Sequence, residues 1–148
     1  VIMIAKDLFR SLDYLETRPD IRTDRLAYMG NSLGARVGSI LLTLDGRFKT
    51  AVFLNGGLHL LPQRFRAPEV DEFQYAGHVK IPVLMVNGRH DFLFLVDKSQ
   101  LVLFRLLATP ERDKRHVLYD RGHSTPFLSV EEVREILDWL DRYLGPVK

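Results

Sequence analysis

Cysteine is absent from this chain of 148 residues. That excludes disulfides, a thiolate nucleophile and a cysteine-ligated zinc site, and it leaves the redox compartment open. No apolar run approaches the ~20 residues of a membrane span. The opening Val1-Ile2-Met3-Ile4-Ala5 is too short for a signal-peptide core, because Lys6-Asp7 follow at once. An excess of one charge is also lacking. Lys+Arg number 21 and Asp+Glu 19, a formal net charge of +2, and charged stretches such as Glu111-Arg112-Asp113-Lys114-Arg115 mix signs. Without a basic stripe interleaved with aromatics, nucleic acid is not an expected partner, and neither is a membrane. Repeats, low-complexity tracts and flexible linkers are missing too. What remains is the composition of one globular domain, 46% hydrophobic and 27% charged. A soluble protein is expected, cytoplasmic rather than secreted.

The apolar pattern alternates between strand-like and helix-like runs. Residues 1 to about 18 read as a helix, with Ile4, Ala5, Leu8, Phe9, Leu12 and Leu15 on one face. Pro19 ends it by pushing the preceding residue out of the α region. Leu26 to Met29 is a strand, and a helix follows to about Leu44. Thr50-Ala51-Val52-Phe53-Leu54 is a continuous apolar strand of the kind buried on both faces of a parallel sheet. Residues 58 to 80 read as loop with one short helix. Ile81 to Gly88 is a third strand, Val96 to Leu107 a helix, and Arg115 to Tyr119 a fourth strand. Ser129 to Leu144 is the best-marked helix. Ser129 and Glu132 predict a capping box, Val133, Ile136, Leu137, Leu140 and Leu144 a buried stripe, and Gly145-Pro146 a stop. Strands alternating with helices predict an α/β fold: a parallel sheet with helices on both faces, its ligand site at the carboxyl ends of the strands.

Gly30-Asn31-Ser32-Leu33-Gly34 reads G-x-S-x-G between the first strand and a helix with apolar Val37, Ile40, Leu41 and Leu44 at i, i+3, i+4 and i+7. A serine at the apex of such a turn is a nucleophile elbow. The glycines let strand and helix approach closely, and the helix N-terminus favours a developing anion. Three fixed positions recur by chance in roughly one chain in twenty of this length, so a serine that merely caps a helix is the competing reading. Two more residues follow strands. Asp91 comes after the third, in Asn87-Gly88-Arg89-His90-Asp91, and His123 after the fourth, in Asp120-Arg121-Gly122-His123-Ser124. A serine hydroxyl needs a base that works near neutral pH, and the imidazole needs a carboxylate to hold its tautomer. Chain order Ser, Asp, His is that of α/β-hydrolases. The plain alternatives are Asp91 as a loop carboxylate paired with Arg89, and His123 as a turn histidine. Asp97 is the runner-up acid, expected inside the following helix. His90 is expected at the surface and His116 packed or at an edge. His59 and His78 lie in the irregular stretch with no metal-ligand spacing. Gly56-Gly57 reads as a tight turn, and Trp139 as packing or surface.

On these motifs the sequence resembles the C-terminal half of an α/β-hydrolase, closest to dienelactone-hydrolase and prolyl-oligopeptidase-like esterases and peptidases. The resemblance covers nearly the whole chain. It implies Ser32 as nucleophile, Asp91 as the acid, His123 as the base and the Leu33 N–H as one oxyanion-hole donor, with no metal or organic cofactor. It also implies that residues 1–148 form the C-terminal portion of a single hydrolase domain, about the last four strands. The remaining strands and the second oxyanion donor are then expected from an N-terminal part in the same gene product or another chain. An elbow strand without a neighbour is an edge prone to association, so a homo-oligomer is a further possibility. The expected function is hydrolysis of carboxylic esters of short or modest acyl chain through an acyl-enzyme. A prolyl-oligopeptidase-like peptidase and an inactive hydrolase-like interaction domain are the alternatives. Only the residues between Asn55 and Ile81 are available for a lid after the second strand, so a fairly open site is expected.

Overall fold

The computed structural model describes residues 1–60, 67–123 and 128–146. Residues 61–66 of the irregular stretch, and Ser124 beside His123, fall outside them. The elements run α1 (Ile2–Glu16), β1 (Leu26–Asn31), α2 (Leu33–Leu44), β2 (Phe48–Leu54), α3 (Glu72–Ala76), β3 (Val83–Gly88), α4 (Leu101–Leu106), β4 (Lys114–Tyr119) and α5 (Val130–Leu144). The four strands form one parallel sheet in the order β1-β2-β3-β4. Each crossover between adjacent parallel strands carries its helix over the sheet.

Alternation along β2 and β3 divides the core into two layers. Ala51, Phe53, Val83 and Met85 join Ala5 and Leu12 of α1, Ala35, Val37 and Leu41 of α2, Ala76 of α3 and Leu103 of α4. Val52, Leu54, Leu84 and Val86 face Ile136 and Trp139 of α5. Four helices therefore cover one face and α5 the other. Because Ala51–Leu54 of β2 and Val83–Val86 of β3 are apolar at every position, both faces of the central strands are buried.

Differences from the sequence expectation have local causes. Val96–Gln100 forms a π-helical turn before α4, where buried Gln100 turns its amide to donate to Gly88 O at 3.1 Å and Phe94 O at 2.7 Å. The buried stripe of α5 is rotated. Glu132, Ile136 and Trp139 are buried, whereas Val133 and Leu137 are 40% and 54% exposed. Trp139 sets that rotation: its Nε1–H donates to Thr50 Oγ1 at 2.8 Å, and a buried indole N–H needs an acceptor. The Ser129–Glu132 capping box is present. Gly56 and Gly57 serve close packing, since a Cβ at either would lie 2.4 Å from Ala35 Cβ or 2.2 Å from Ser99 Oγ. Among the described residues β1 pairs with β2 alone, and Met29 on it is 51% exposed. Among the described residues no helix is long and apolar enough to cross a membrane.

His116 on β4 packs at 5.8 Å from the Phe104 ring and lies 3.2 Å from Gln100 Oε1. Burial lowers its pKa below the ordinary 6.5. The folded chain therefore favours the neutral ring. Its contribution to stability is complete above the unfolded pKa and is lost as pH falls below about 6.5. Melting temperature is expected to drop between pH about 7.5 and 5.5, and His116→Gln to make that drop smaller. Equal slopes in thermal melts of the two proteins would count against it.

Candidate active site

Ser32 joins β1 to α2 with φ 51° and ψ −107°. A non-glycine residue there is strained and persists only where its surroundings hold it. Here they do. The Ser32 N–H donates to Leu54 O at 2.8 Å, extending the β1–β2 ladder, and the Ser32 carbonyl accepts from Arg36 N at 2.9 Å. The Tyr28 hydroxyl donates to Gly34 O at 2.7 Å, and burial pushes that phenol up to about 12, keeping it a donor. Gly30 is required by proximity: a Cβ on it would lie 2.5 Å from Gly34 C and 2.7 Å from Ala35 N. β1 passes directly beneath the first turn of α2, and the serine side chain is left at the apex. Leu33 opens α2, so its amide N–H has no intrahelical acceptor.

Asp91 and His123 lie beyond β3 and β4, at the same end of the sheet as Ser32. The Ser32 Oγ is 2.8 Å from His123 Nε2, and His123 Nδ1 is 2.8 Å from Asp91 Oδ2. The Asp91 side chain is fully buried and that of His123 is 10% exposed. The other Asp91 oxygen accepts the backbone N–H groups of Leu93 at 2.8 Å and Phe94 at 2.9 Å. An ionised carboxylate only accepts hydrogen bonds, so Nδ1 carries the imidazole proton and Nε2 is left to accept from the serine hydroxyl. The Phe94 and Phe92 rings lie at 5.6 and 6.2 Å from the imidazole and flank it. The structure brings Ser32, Asp91 and His123 into one hydrogen-bonded chain.

The remaining candidates stand outside this hydrogen-bonded chain. Asp97 is exposed in the π turn. His90 pairs with Asp120 at 2.7 Å on the surface, and His78 is exposed. The His59 backbone N–H donates to buried Glu72 Oε1 at 2.7 Å. Among the described residues no group of three His, Asp or Glu side chains is arranged to hold a metal.

A cavity of about 420 Å³ opens beside Ser32, lined by Leu33, Arg36, His59, Leu60, Leu93 and Phe94. Its walls are mostly apolar, as small-molecule sites are. Of the lining residues, Leu33 is marked by the serine motif, whereas Arg36, Leu60, Leu93 and Phe94 escape sequence reasoning because they carry none; Leu93 and Phe94 also give their amides to Asp91. A separate groove of about 470 Å³ runs past Arg22, Arg25, Leu137 and Leu144, remote from the serine.

No protein-family sequence model matches the chain, and comparison with curated protein sequences finds no match. Solved structures do match. A zinc-bound cold-adapted esterase from an Arctic intertidal metagenomic library is 24% identical with a TM-score of 0.76, covering 97% of this chain and 59% of its own. Its native form is 26% identical with a TM-score of 0.71, at 93% and 57% coverage. The 2,6-dihydroxy-pseudo-oxynicotine hydrolase is 18% identical with a TM-score of 0.76, at 95% and 46% coverage. The acylaminoacyl peptidase of Pyrococcus horikoshii is 15% identical with a TM-score of 0.73, at 97% and 28% coverage. The chain thus spans less than two thirds of the length of each of these relatives. With its four parallel strands, its helices on both faces and this set of structural neighbours, the chain has the α/β-hydrolase fold, over an extent consistent with the C-terminal part of that fold.

Proposed function

We propose that this chain carries the catalytic triad of a serine hydrolase acting on carboxylic esters of modest size. The observation behind the proposal is the unbroken chain from Ser32 Oγ through His123 to Asp91, with both links at 2.8 Å. In the first half-reaction Ser32 Oγ attacks the acyl carbon while His123 Nε2 takes its proton. The Leu33 N–H donates to the oxyanion, and Asp91 stabilises the imidazolium. Collapse breaks the C–O bond, and His123 returns the proton to the leaving alcohol. Water, deprotonated by the same nitrogen, then attacks the acyl-enzyme, releasing the acid and restoring Ser32.

The cavity beside Ser32 supports a short or modest acyl chain. Esterase action is further supported by the esterase neighbour at 24–26% identity. Peptidase action is the second reading, favoured by the acylaminoacyl-peptidase neighbour, which this chain covers to 28%. A second oxyanion donor, and a strand that covers the open edge of β1, are proposed to come from a further part of the hydrolase domain. Exposed Met29 and Leu137 would lie under that part.

The test uses the chain expressed together with whatever sequence accompanies it in its gene. p-Nitrophenyl acetate, butyrate and palmitate are compared with aminoacyl p-nitroanilides. The expected result is turnover of the two short esters at least about tenfold above the palmitate and the anilides, a difference of about 1.4 kcal/mol in transition-state binding. Faster anilide cleavage would transfer the assignment to a peptidase. No turnover, together with no covalent labelling by a fluorophosphonate, would refute the hydrolase reading.

A further inference from the structure

Between the serine and histidine segments runs a polar chain, buried at Asn55 and Glu132 and exposed at Asn31, that takes no part in the proton transfers above. Arg121 stands two residues before His123. Its Nε donates to Glu132 Oε1 at 2.7 Å, its Nη2 lies 2.6 Å from the same oxygen, and its Nη1 donates to Asn55 Oδ1. The Asn55 Nδ2 donates in turn to Asn31 Oδ1 at 2.9 Å, and Asn31 immediately precedes Ser32. Side-chain exposure is 9% for Arg121 and 3% for Glu132, and Asn55 is 5% exposed. The far end is anchored, because Glu132 Oε2 accepts the Ser129 N–H at 2.8 Å in the α5 capping box. Asn55 is also one of only two non-glycine residues at positive φ among those described, the other being Ser32. Its backbone N–H holds Val86 O at 2.9 Å.

This arrangement has a cost that packing alone does not require. A buried ion pair is weak evidence for stability, since its desolvation opposes its attraction. The asparagines contribute no apolar burial. What the chain does provide is a set of directional links between the end of β1, the end of β2, the loop after β4 and the start of α5. Those are the elements whose relative placement sets the distance from Ser32 Oγ to His123 Nε2.

We propose that Asn31, Asn55, Arg121 and Glu132 form a positioning relay that fixes the serine elbow and the histidine loop in mutual register. The proposal rests on the triad reading of Ser32 and His123 but assigns them no new chemistry. Catalysis depends on such register because a displacement of about 1 Å costs on the order of 10²-fold in rate. The relay residues touch no reacting atom and are positioning residues.

Asn55→Gly tests this directly. Glycine accepts the positive φ and leaves the Arg121–Glu132 pair intact, so the relay is cut without stranding a charge. A second variant, Arg121→Met with Glu132→Gln, removes both charges together and keeps a glutamine at the third position of the capping box. Three quantities are read: kcat and KM for p-nitrophenyl acetate, the fluorophosphonate labelling rate at Ser32, and the far-downfield proton resonance of the His123 Nδ1–H···Asp91 bond, all at a temperature where melts show each variant folded. The expected result is a fall of about 10- to 100-fold in kcat and in labelling rate. KM is expected to stay within about twofold, and the downfield resonance to broaden or shift. Unchanged kcat in two folded variants that merely melt earlier would overturn the proposal, because a purely structural network moves only the melt. If the wild-type chain neither labels nor hydrolyses ester, the hydrolase reading fails by itself. The resonance then still decides: its loss in Asn55→Gly supports the relay, and its persistence overturns it.

Discussion

Ser32→Ala is expected to lower kcat/KM for an activated ester by about 10⁴- to 10⁶-fold and to abolish fluorophosphonate labelling. On the proposed mechanism the loss is large because the hydroxyl is the atom that bonds to the substrate; without it only oxyanion stabilisation and binding remain. The fold is expected to survive. Among the described residues the Ser32 side chain makes one hydrogen bond, to His123 at 2.8 Å, while the turn is held by backbone groups and by Tyr28. Ser32→Gly sharpens the test. With φ at 51°, glycine relieves strain that alanine keeps, and it is expected to stabilise the chain by about 1 kcal/mol while being equally inactive. His123→Ala should lose nearly as much activity as Ser32→Ala, and the double variant no more than either single one, because residues that act as a unit are not additive. Residual Ser32→Ala activity within tenfold of wild type would place the nucleophile elsewhere.

Gly88→Ala is expected to cost on the order of 10²-fold or more in kcat, although residue 88 lies outside the proposed triad and does not line the cavity beside Ser32. A Cβ there would lie 2.1 Å from Gly122 O and 2.5 Å from Arg121 O. Both obstacles are backbone, so no rotamer change relieves the clash. The loop is pinned against the end of β3 by the Arg89 N–H on Tyr119 O at 2.8 Å and the His90 N–H on Arg121 O at 2.9 Å. A methyl group forces that loop outward and carries His123 away from both Ser32 and Asp91. Overpacking of this kind also destabilises by about 1–3 kcal/mol, so the activity is to be measured well below the melt. Gly46→Ala is the control. Nothing lies within 4 Å of its Cβ position, and it is expected to change stability by less than about 0.5 kcal/mol. Wild-type kcat in folded Gly88→Ala would show that the histidine loop tolerates displacement.

Several features of this protein follow from local chemistry and are legible in the sequence alone. The apolar runs in the central strands β2 and β3 are legible, because strands inside a covered parallel sheet need nothing polar on either face. The elbow is readable because Gly30 is demanded by contacts with Gly34 and Ala35, only a few residues away. The α5 capping box is readable because Ser129 and Glu132 satisfy each other within one turn. The order of Ser32, Asp91 and His123 is visible because each follows a strand, and parallel strands place their carboxyl ends together.

Tertiary structure decided what depends on distant partners. Periodicity marks Val133 and Leu137 for burial as readily as Trp139, yet it is Thr50, far away in the chain, that turns Trp139 inward and leaves the other two exposed. Glu132 reads as a helix cap, but Arg121 makes it half of a buried ion pair as well. Gly56-Gly57 resembles a turn, and only the approach of Ala35 and Ser99 shows that it is a contact surface. The link from Asn31 through Asn55 to Arg121 joins residues from three separate segments, and no motif marks the pairing between them. A hydrogen bond between side chains distant in sequence leaves no periodic trace; it exists only once the sheet sets the distance between them.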